Sequence, residues 1–219
     1  MRLKAIVIGA TGLVGSRLVR LLLEDLRFDH IHIFVRQATG LAHPRLTEHR
    51  VDFNKIDEWS GQIRGDVLFS ALGTTRKKAG SKKNQYQVDF NYQYEVARIA
   101  AQNGVPDFVL VSSAGADPES RLFYSRMKGE LEKAVQKMKF QRIIILRPSI
   151  LDGKRKKKRP AEALSLKVMH VVTRYIFRKY RPVRARIVAH AMINSIFIDS
   201  LPTGVSLYQP DELFILADR

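Results

Sequence analysis

The chain begins with an apolar run ending in evenly spaced glycines, Leu3-Lys-Ala-Ile-Val-Ile-Gly9-Ala-Thr-Gly12-Leu-Val-Gly15. It continues directly into Ser16-Arg-Leu-Val-Arg-Leu-Leu-Leu23. The first part reads as a buried strand and the second as an amphipathic helix. Strand, glycine turn and helix N-terminus in that order form a cradle in which backbone N–H groups and the helix dipole hold a pyrophosphate. Gly9 permits the tight turn, Gly12 lets the backbone approach the phosphates, and Gly15 lets helix and strand pack closely. Thr11, Leu13 and Val14 lie between them on the same loop. The spacing is G-x-x-G-x-x-G rather than G-x-G-x-x-G, so the flanking strand and helix carry the assignment to a dinucleotide site.

Strand and helix patterns alternate beyond that loop. Ile31–Val35 reads as a strand, Val67–Leu72 as a strand ending in Gly73, and Gln93–Asn103 as a helix stopped by Gly104-Val-Pro106. Phe108–Val111 is a continuous apolar strand running into Ser112-Ser113; a helix follows over Tyr124–Met138, then a strand over Arg142–Leu146. Continuous apolar strands alternating with helices predict an α/β, Rossmann-type, doubly wound parallel sheet, with ligands at the C-terminal ends of the strands. At 219 residues and 45% hydrophobic, the chain suits one ordered domain. Its cofactor-binding core is expected over about 1–150, and a small, mainly helical substrate-side segment over about 151–219. It has no cysteine, which excludes disulfides and thiolate chemistry. No secretory leader precedes the glycines, and no run approaches the ~18 apolar residues of a membrane span. The expected location is cytoplasmic, with peripheral association at an anionic membrane as a variant. Lys and Arg outnumber Asp and Glu by 38 to 21, and a net charge of +17 favours anionic partners.

Three features decorate the predicted crevice. Arg36 closes the second strand 21 positions after Gly15, where an acid would bind a ribose 2′-hydroxyl; a guanidinium there suits a 2′-phosphate, hence NADP(H) over NAD. Arg17 is placed to assist, and Asp52-Phe53, after a short strand, either flanks the adenine or is a loop acid beside a core ring. Tyr124 and Lys128 share a helix face at i and i+4, so an ammonium can favour the phenolate of a proton-transferring tyrosine. Ser112 and Ser113, one loop upstream, can hydrogen-bond the same substrate oxygen. Each feature has a plainer reading as a packed tyrosine or a turn serine, but their combination and order are more specific than any one of them.

These residues resemble the short-chain dehydrogenase/reductase superfamily, in its atypical or extended branch. More narrowly, the chain is similar to the Tat-interacting-protein-like NADP-binding oxidoreductases. The resemblance rests on Gly9 to Gly15, Ser70-Ala-Leu-Gly-Thr-Thr-Arg76, Lys78-Ala-Gly80, Val88-Asp89, Ser112-Ser113, Ala114-Gly-Ala-Asp117, Tyr124, Lys128-Gly-Glu130 and Arg147-Pro148. It implies a Rossmann fold, an NADP cofactor, no metal, and catalytic serine, tyrosine and lysine: Ser113 ahead of Ser112, with Tyr124 and Lys128. Related enzymes also place a helix asparagine that supports the active-site lysine; Asn91 is near that place, though offset from Val88-Asp89.

Gly73–Lys83 carries five basic residues after a crevice strand. Ala71, Leu72, Gly73 and Thr74 are candidates to line the nicotinamide ribose. The rest of the loop is read first as a solvated mobile lid and second as an anion-steering surface. Lys154-Arg-Lys-Lys-Lys-Arg159 is a polyanion-binding patch by composition, without aromatics for stacking nucleic-acid bases. An amphipathic helix is expected over Ala161–Tyr180, packed over the cleft or, failing that, lying on an anionic membrane or a partner, with His170 at its surface. The expected activity is NADP(H)-dependent hydride transfer with a carbonyl or alcohol. An NADP(H)-sensing interaction protein is the alternative and a nucleic-acid binder the third reading. Substrate and oligomeric state are not legible.

Overall fold

The computed structural model describes residues 2–152, 181–198 and 203–219. The Lys154–Arg159 run and the helix expected over 161–180, with His170, lie outside the described residues. The elements are β1 (Leu3–Ile8), α1 (Gly15–Glu24), β2 (Phe28–Val35), β3 (Leu46–Arg50), β4 (Val67–Ser70), α2 (Arg76–Ala79), α3 (Lys82–Tyr86), α4 (Tyr92–Gln102), β5 (Asp107–Val111), α5 (Phe123–Val135) and β6 (Arg142–Leu146). After them come β7 (Leu151–Asp152), β8 (Val183–Arg184), α6 (Ala185–Ser195), β9 (Gly204–Tyr208) and α7 (Glu212–Ala217). A π-helical turn over Gln87–Asn91 joins α3 to α4, so that stretch is helical from Lys82 rather than from Gln93.

Seven strands form one sheet in the order β3-β2-β1-β4-β5-β6-β9, every pair parallel. The chain steps outward from β1 to β3 and then returns to β4 beside β1, which makes the β1–β4 junction the topological switch point. Side chains alternate between two buried layers. Ala5, Val7, Ile31, Ile33, Phe69 and Val109 meet α1, α6 and α7 on one face; Ile6, Ile8, Phe34, Leu68, Phe108 and Leu110 meet α4 and α5 on the other. Described residues beyond 180 join this core. β9 is its seventh strand and α6 packs against α1.

On the outer strands β2 and β3, His32 Nδ1 lies 3.1 Å from His49 Nε2, and the His30 and His32 rings are 4.9 Å apart. His32 titrates at about 4, first because it is desolvated and then because His30, His49 and Lys4 repel its charge. In the unfolded chain it takes its proton near the ordinary 6.5, so that proton is bound by the unfolded state first. Its contribution to stability is therefore complete above pH 6.5 and falls as the pH drops towards 4. Urea midpoints at pH 7.5 and 4.5 should show that fall, and His32→Gln should flatten part of it; an identical fall in the variant would count against the assignment.

Candidate functional site

The strand register brings the sequence candidates to one edge. Ile8 pairs with Phe34 on one side and Ser70 on the other; Ser70 pairs with Leu110, and Val111 with Leu146. The residues that follow these strands, the Gly9–Gly15 loop, Arg36, Ala71–Thr74, Ser112–Ser113 and Arg147, therefore line a common crevice at the switch point. The strand expected to run to Leu72 ends at Ser70, although the Ala71 N–H still donates to the Ile8 carbonyl at 3.0 Å.

The glycine loop is tight for steric reasons. Gly9 has φ +82°, and a Cβ on it would stand 2.4 Å from the Ala71–Leu72 backbone; a Cβ on Gly15 would stand 2.1 Å from the Gly9 carbonyl oxygen. At Gly12 a Cβ would project to within 3.1 Å of the Gly9 oxygen, filling the open side of the turn. No side chain caps the N-terminus of α1, and its first turn has no acid. A bare concave backbone ahead of an uncapped helix N-terminus fits the pyrophosphate of a dinucleotide. Arg36 emerges beside it, exposed, two residues beyond the partner of Ile8; Arg17 is exposed on α1. Asp52 is exposed, and its Oδ1 accepts from the N–H and side-chain amide of Asn54 at 2.9 and 3.0 Å. Phe53 is buried against Trp59 and Tyr92.

On the opposite wall, α5 presents Tyr124 in its first turn, 43% exposed, and Lys128 one turn on, 3% exposed. The recorded partner of the Lys128 ammonium is Asp89, whose Oδ1 lies 3.7 Å from Nζ. Asp89 Oδ2 accepts the Thr74 N–H at 2.9 Å, which ties the π-helical turn to the β4 loop as well as to α5. Burial pushes the Asp89 carboxyl above the ordinary range, against the pull of Lys128 and of the Thr74 N–H. Gln93 braces the same turn, donating to the Asp89 carbonyl at 2.6 Å and accepting from Ser70 Oγ at 2.7 Å. Asn91, the sequence candidate for supporting the lysine, donates to Gln87 Oε1 at 2.6 Å instead. Asp89 occupies the position beside Lys128, because the π-helical turn carries its carboxylate inward.

Two further contacts fix α5 relative to the serines. Gly129 lies against the loop after β5 so closely that a Cβ there would stand 2.2 Å from the Pro118 nitrogen. Arg147, at the end of β6, donates to Glu132 through Nε at 3.0 Å and Nη2 at 2.6 Å. Ser112 is buried, and its Oγ is the one buried side-chain polar atom without a partner among the described residues; Ser113, beside it, is partly exposed towards the crevice end. An orphaned buried hydroxyl costs free energy unless something supplies its partner. A phenol open to solvent, a buried lysine and two hydroxyls at one strand end are groups of the kind that hold and protonate a substrate oxygen.

Sequence reasoning missed Glu132 and the packing role of Gly129. It quoted Asp89 only within a resemblance. Partners so distant in the chain leave no local pattern.

Residues 9–174 match the family model described as NAD(P)H-binding. "Protein fmp52, mitochondrial" of Emericella nidulans is 37% identical over 167 residues, covering 73% of this chain and 71% of that protein. The protein of the same name from Aspergillus niger is 39% identical over 167 residues, covering 72% and 70%. Among solved structures, the Bordetella bronchiseptica enzyme WbmH in complex with NAD+ superposes with a TM-score of 0.69 at 18% identity, over 95% of this chain and 76% of that one. That likeness is one of fold. The names of the fungal relatives overturn the cytoplasmic expectation, since both are mitochondrial proteins. The expectation rested on the lack of a secretory leader, which bears on secretion and not on the choice between cytosol and organelle. No helix among the described residues is long and apolar enough to cross a membrane. With its Rossmann sheet, its glycine cradle and a family match over most of its length, the chain belongs to the NAD(P)H-binding family.

Proposed function

We propose that the chain is an NADP(H)-dependent oxidoreductase that interconverts a carbonyl compound and its alcohol, and that it works in the mitochondrion as its relatives are named for. The observation that carries this reading is the solvent-open Tyr124 one helical turn from a Lys128 buried on Asp89, across the switch-point crevice from the glycine cradle. When bound in the cradle, the reduced nicotinamide would be the source of the hydride for the carbonyl carbon. Tyr124 Oη gives its proton to the carbonyl oxygen, and the alcohol leaves with both. Ser113 orients that oxygen by donating to it, and Ser112 stands behind it in the buried layer. Lys128, placed against Asp89, favours the phenolate left on Tyr124 and so eases the proton's departure. Gly9–Gly15 holds the pyrophosphate, Ala71–Thr74 lines the nicotinamide ribose, and Arg36 meets the 2′-phosphate.

Arg36 carries the choice of NADP(H). Arg36→Ala should weaken NADPH binding, read from the fluorescence of the bound nucleotide, by about tenfold or more, the worth of one charge-assisted pair. NADH binding should change little. Equal losses for the two nucleotides would remove the 2′-phosphate role. Oxidation of NADPH against a panel of aldehydes and ketones tests the reaction itself, and a panel without any turnover would favour nucleotide sensing instead.

A further inference from the structure

The reading of Tyr124 as the proton donor leaves the substrate open, and the basic stretch after β4 narrows it. Arg76, Lys77, Lys78, Lys82 and Lys83 are all exposed. Among the described residues none of the five is in an ion pair. They are not on an unattached lid. Thr75 and Ser81 cap the two short helices that carry them, through the N–H groups of Lys78 at 3.3 Å and Asn84 at 3.0 Å. The second of these helices, α3, docks on α5. Lys82 Nζ stands 5.5 Å over the ring of Phe123, the residue before Tyr124, and Tyr86 donates its hydroxyl to Glu130 Oε2 at 3.1 Å.

The carboxylate at that docking contact is already engaged. Glu130 is engaged by Tyr86 and lies 3.8 Å from Arg126. Burial and the adjacent Glu130 push the Tyr86 phenol up to about 12, so it remains a donor throughout the physiological range. Asp117, across the crevice end, accepts the Glu119 N–H at 2.9 Å within its own loop. Five cations without counterions repel one another at a cost in stability, which an anion placed among them relieves. The cradle and Arg36 belong to β1 and β2, whereas α3 leans on α5 beyond β4, which sets Lys82 of the cluster beside the helix that carries Tyr124.

We propose that the substrate is an anionic carbonyl compound, its carboxylate or phosphate held by the Arg76–Lys83 cluster while its carbonyl meets Tyr124. The proposal rests on the oxidoreductase reading, and the tests separate the two. NADPH oxidation is measured with benzaldehyde, 4-carboxybenzaldehyde and 4-formylphenyl phosphate at low and high sodium chloride. One or both anionic aldehydes should exceed benzaldehyde in kcat/KM by at least about tenfold at low salt, the lower end of what a like-signed cleft gives, and the advantage should shrink at high salt. The two anionic compounds tell a carboxylate site from a phosphate site. Replacing all five cations with glutamine should bring the anionic-to-neutral ratio towards one. A parallel measurement needs no turnover: benzoate and phenyl phosphate are titrated against benzyl alcohol into the NADPH-loaded protein and read by the fluorescence of bound NADPH. Tighter binding of either anion, lost in the five-residue variant, supports anion capture by the cluster; if no aldehyde is reduced as well, the oxidoreductase reading and the carbonyl substrate fall while the anion site stands. Equal kcat/KM or equal binding for anionic and neutral compounds overturns the proposal. So does a preference that survives in the variant. If the protein leaves NADPH fluorescence unchanged, the cofactor reading fails and the proposal fails with it.

Discussion

Tyr124→Phe is expected to lower kcat by about 10²–10⁴-fold, the usual worth of a positioned general acid or base, while NADPH binds as before. The substitution removes one oxygen and keeps the ring. Tyr124 is 43% exposed in the first turn of α5, so the loss leaves neither a cavity nor a buried unsatisfied partner. The stability of the variant should match the parent, and the glycine cradle lies across the crevice from the change. If the hydroxyl is the proton donor, the chemical step fails and binding does not. Single-turnover oxidation of bound NADPH by an excess of the best carbonyl substrate reads the chemical step directly. An unchanged rate would remove Tyr124 from the mechanism. A parallel rise in the Kd for NADPH would instead make it a cofactor-positioning residue.

How much of this was legible in the sequence follows from where each contact is made. Interior parallel strands are covered on both faces and appear as continuous apolar runs. For that reason Arg142–Leu146 matches β6 and Phe108–Val111 falls within one residue of β5. The outer strand β3, Leu46–Arg50, is only partly buried and carries Thr47, Glu48 and His49, so its signal is weak. The helix α6 buries residues around most of its circumference, including Val188, Ala189, Ala191, Met192 and Ile193, which erases the one-sided stripe that marks a surface helix. The glycine cradle was readable because its parts are neighbours in the chain. The Asp89–Lys128 pair was not. It joins a π-helical turn to α5 across 39 positions, and whether the carboxylate or the nearby Asn91 faces inward depends on that local unwinding. The placement of the carboxylate that meets Lys128 is thus a tertiary property.

Asp89→Ala is expected to destabilise the protein by about 3–5 kcal/mol, because it leaves the Lys128 ammonium buried with no opposing charge. For a chain of this size that is a drop of roughly 6–20 °C in melting temperature. The same geometry makes a less obvious prediction for the double variant Asp89→Ala with Lys128→Met. Both charges are buried, and the attraction within a buried pair often does no more than offset the desolvation of its two members. Removing both charges should therefore restore most of the stability lost in the single variant, with the Thr74 N–H left as the one orphaned donor. It should not restore turnover, since the Lys128 ammonium one helical turn from Tyr124 is then gone. Melting temperature and kcat measured across the four-member cycle separate these outcomes. Recovery of stability without activity means that the pair is kept to hold a charged lysine at the phenol. If stability does not recover, Asp89 is needed chiefly for its hydrogen bond to the β4 loop. If the single variant melts with the parent, Lys128 finds another partner and the positioning role of Asp89 falls.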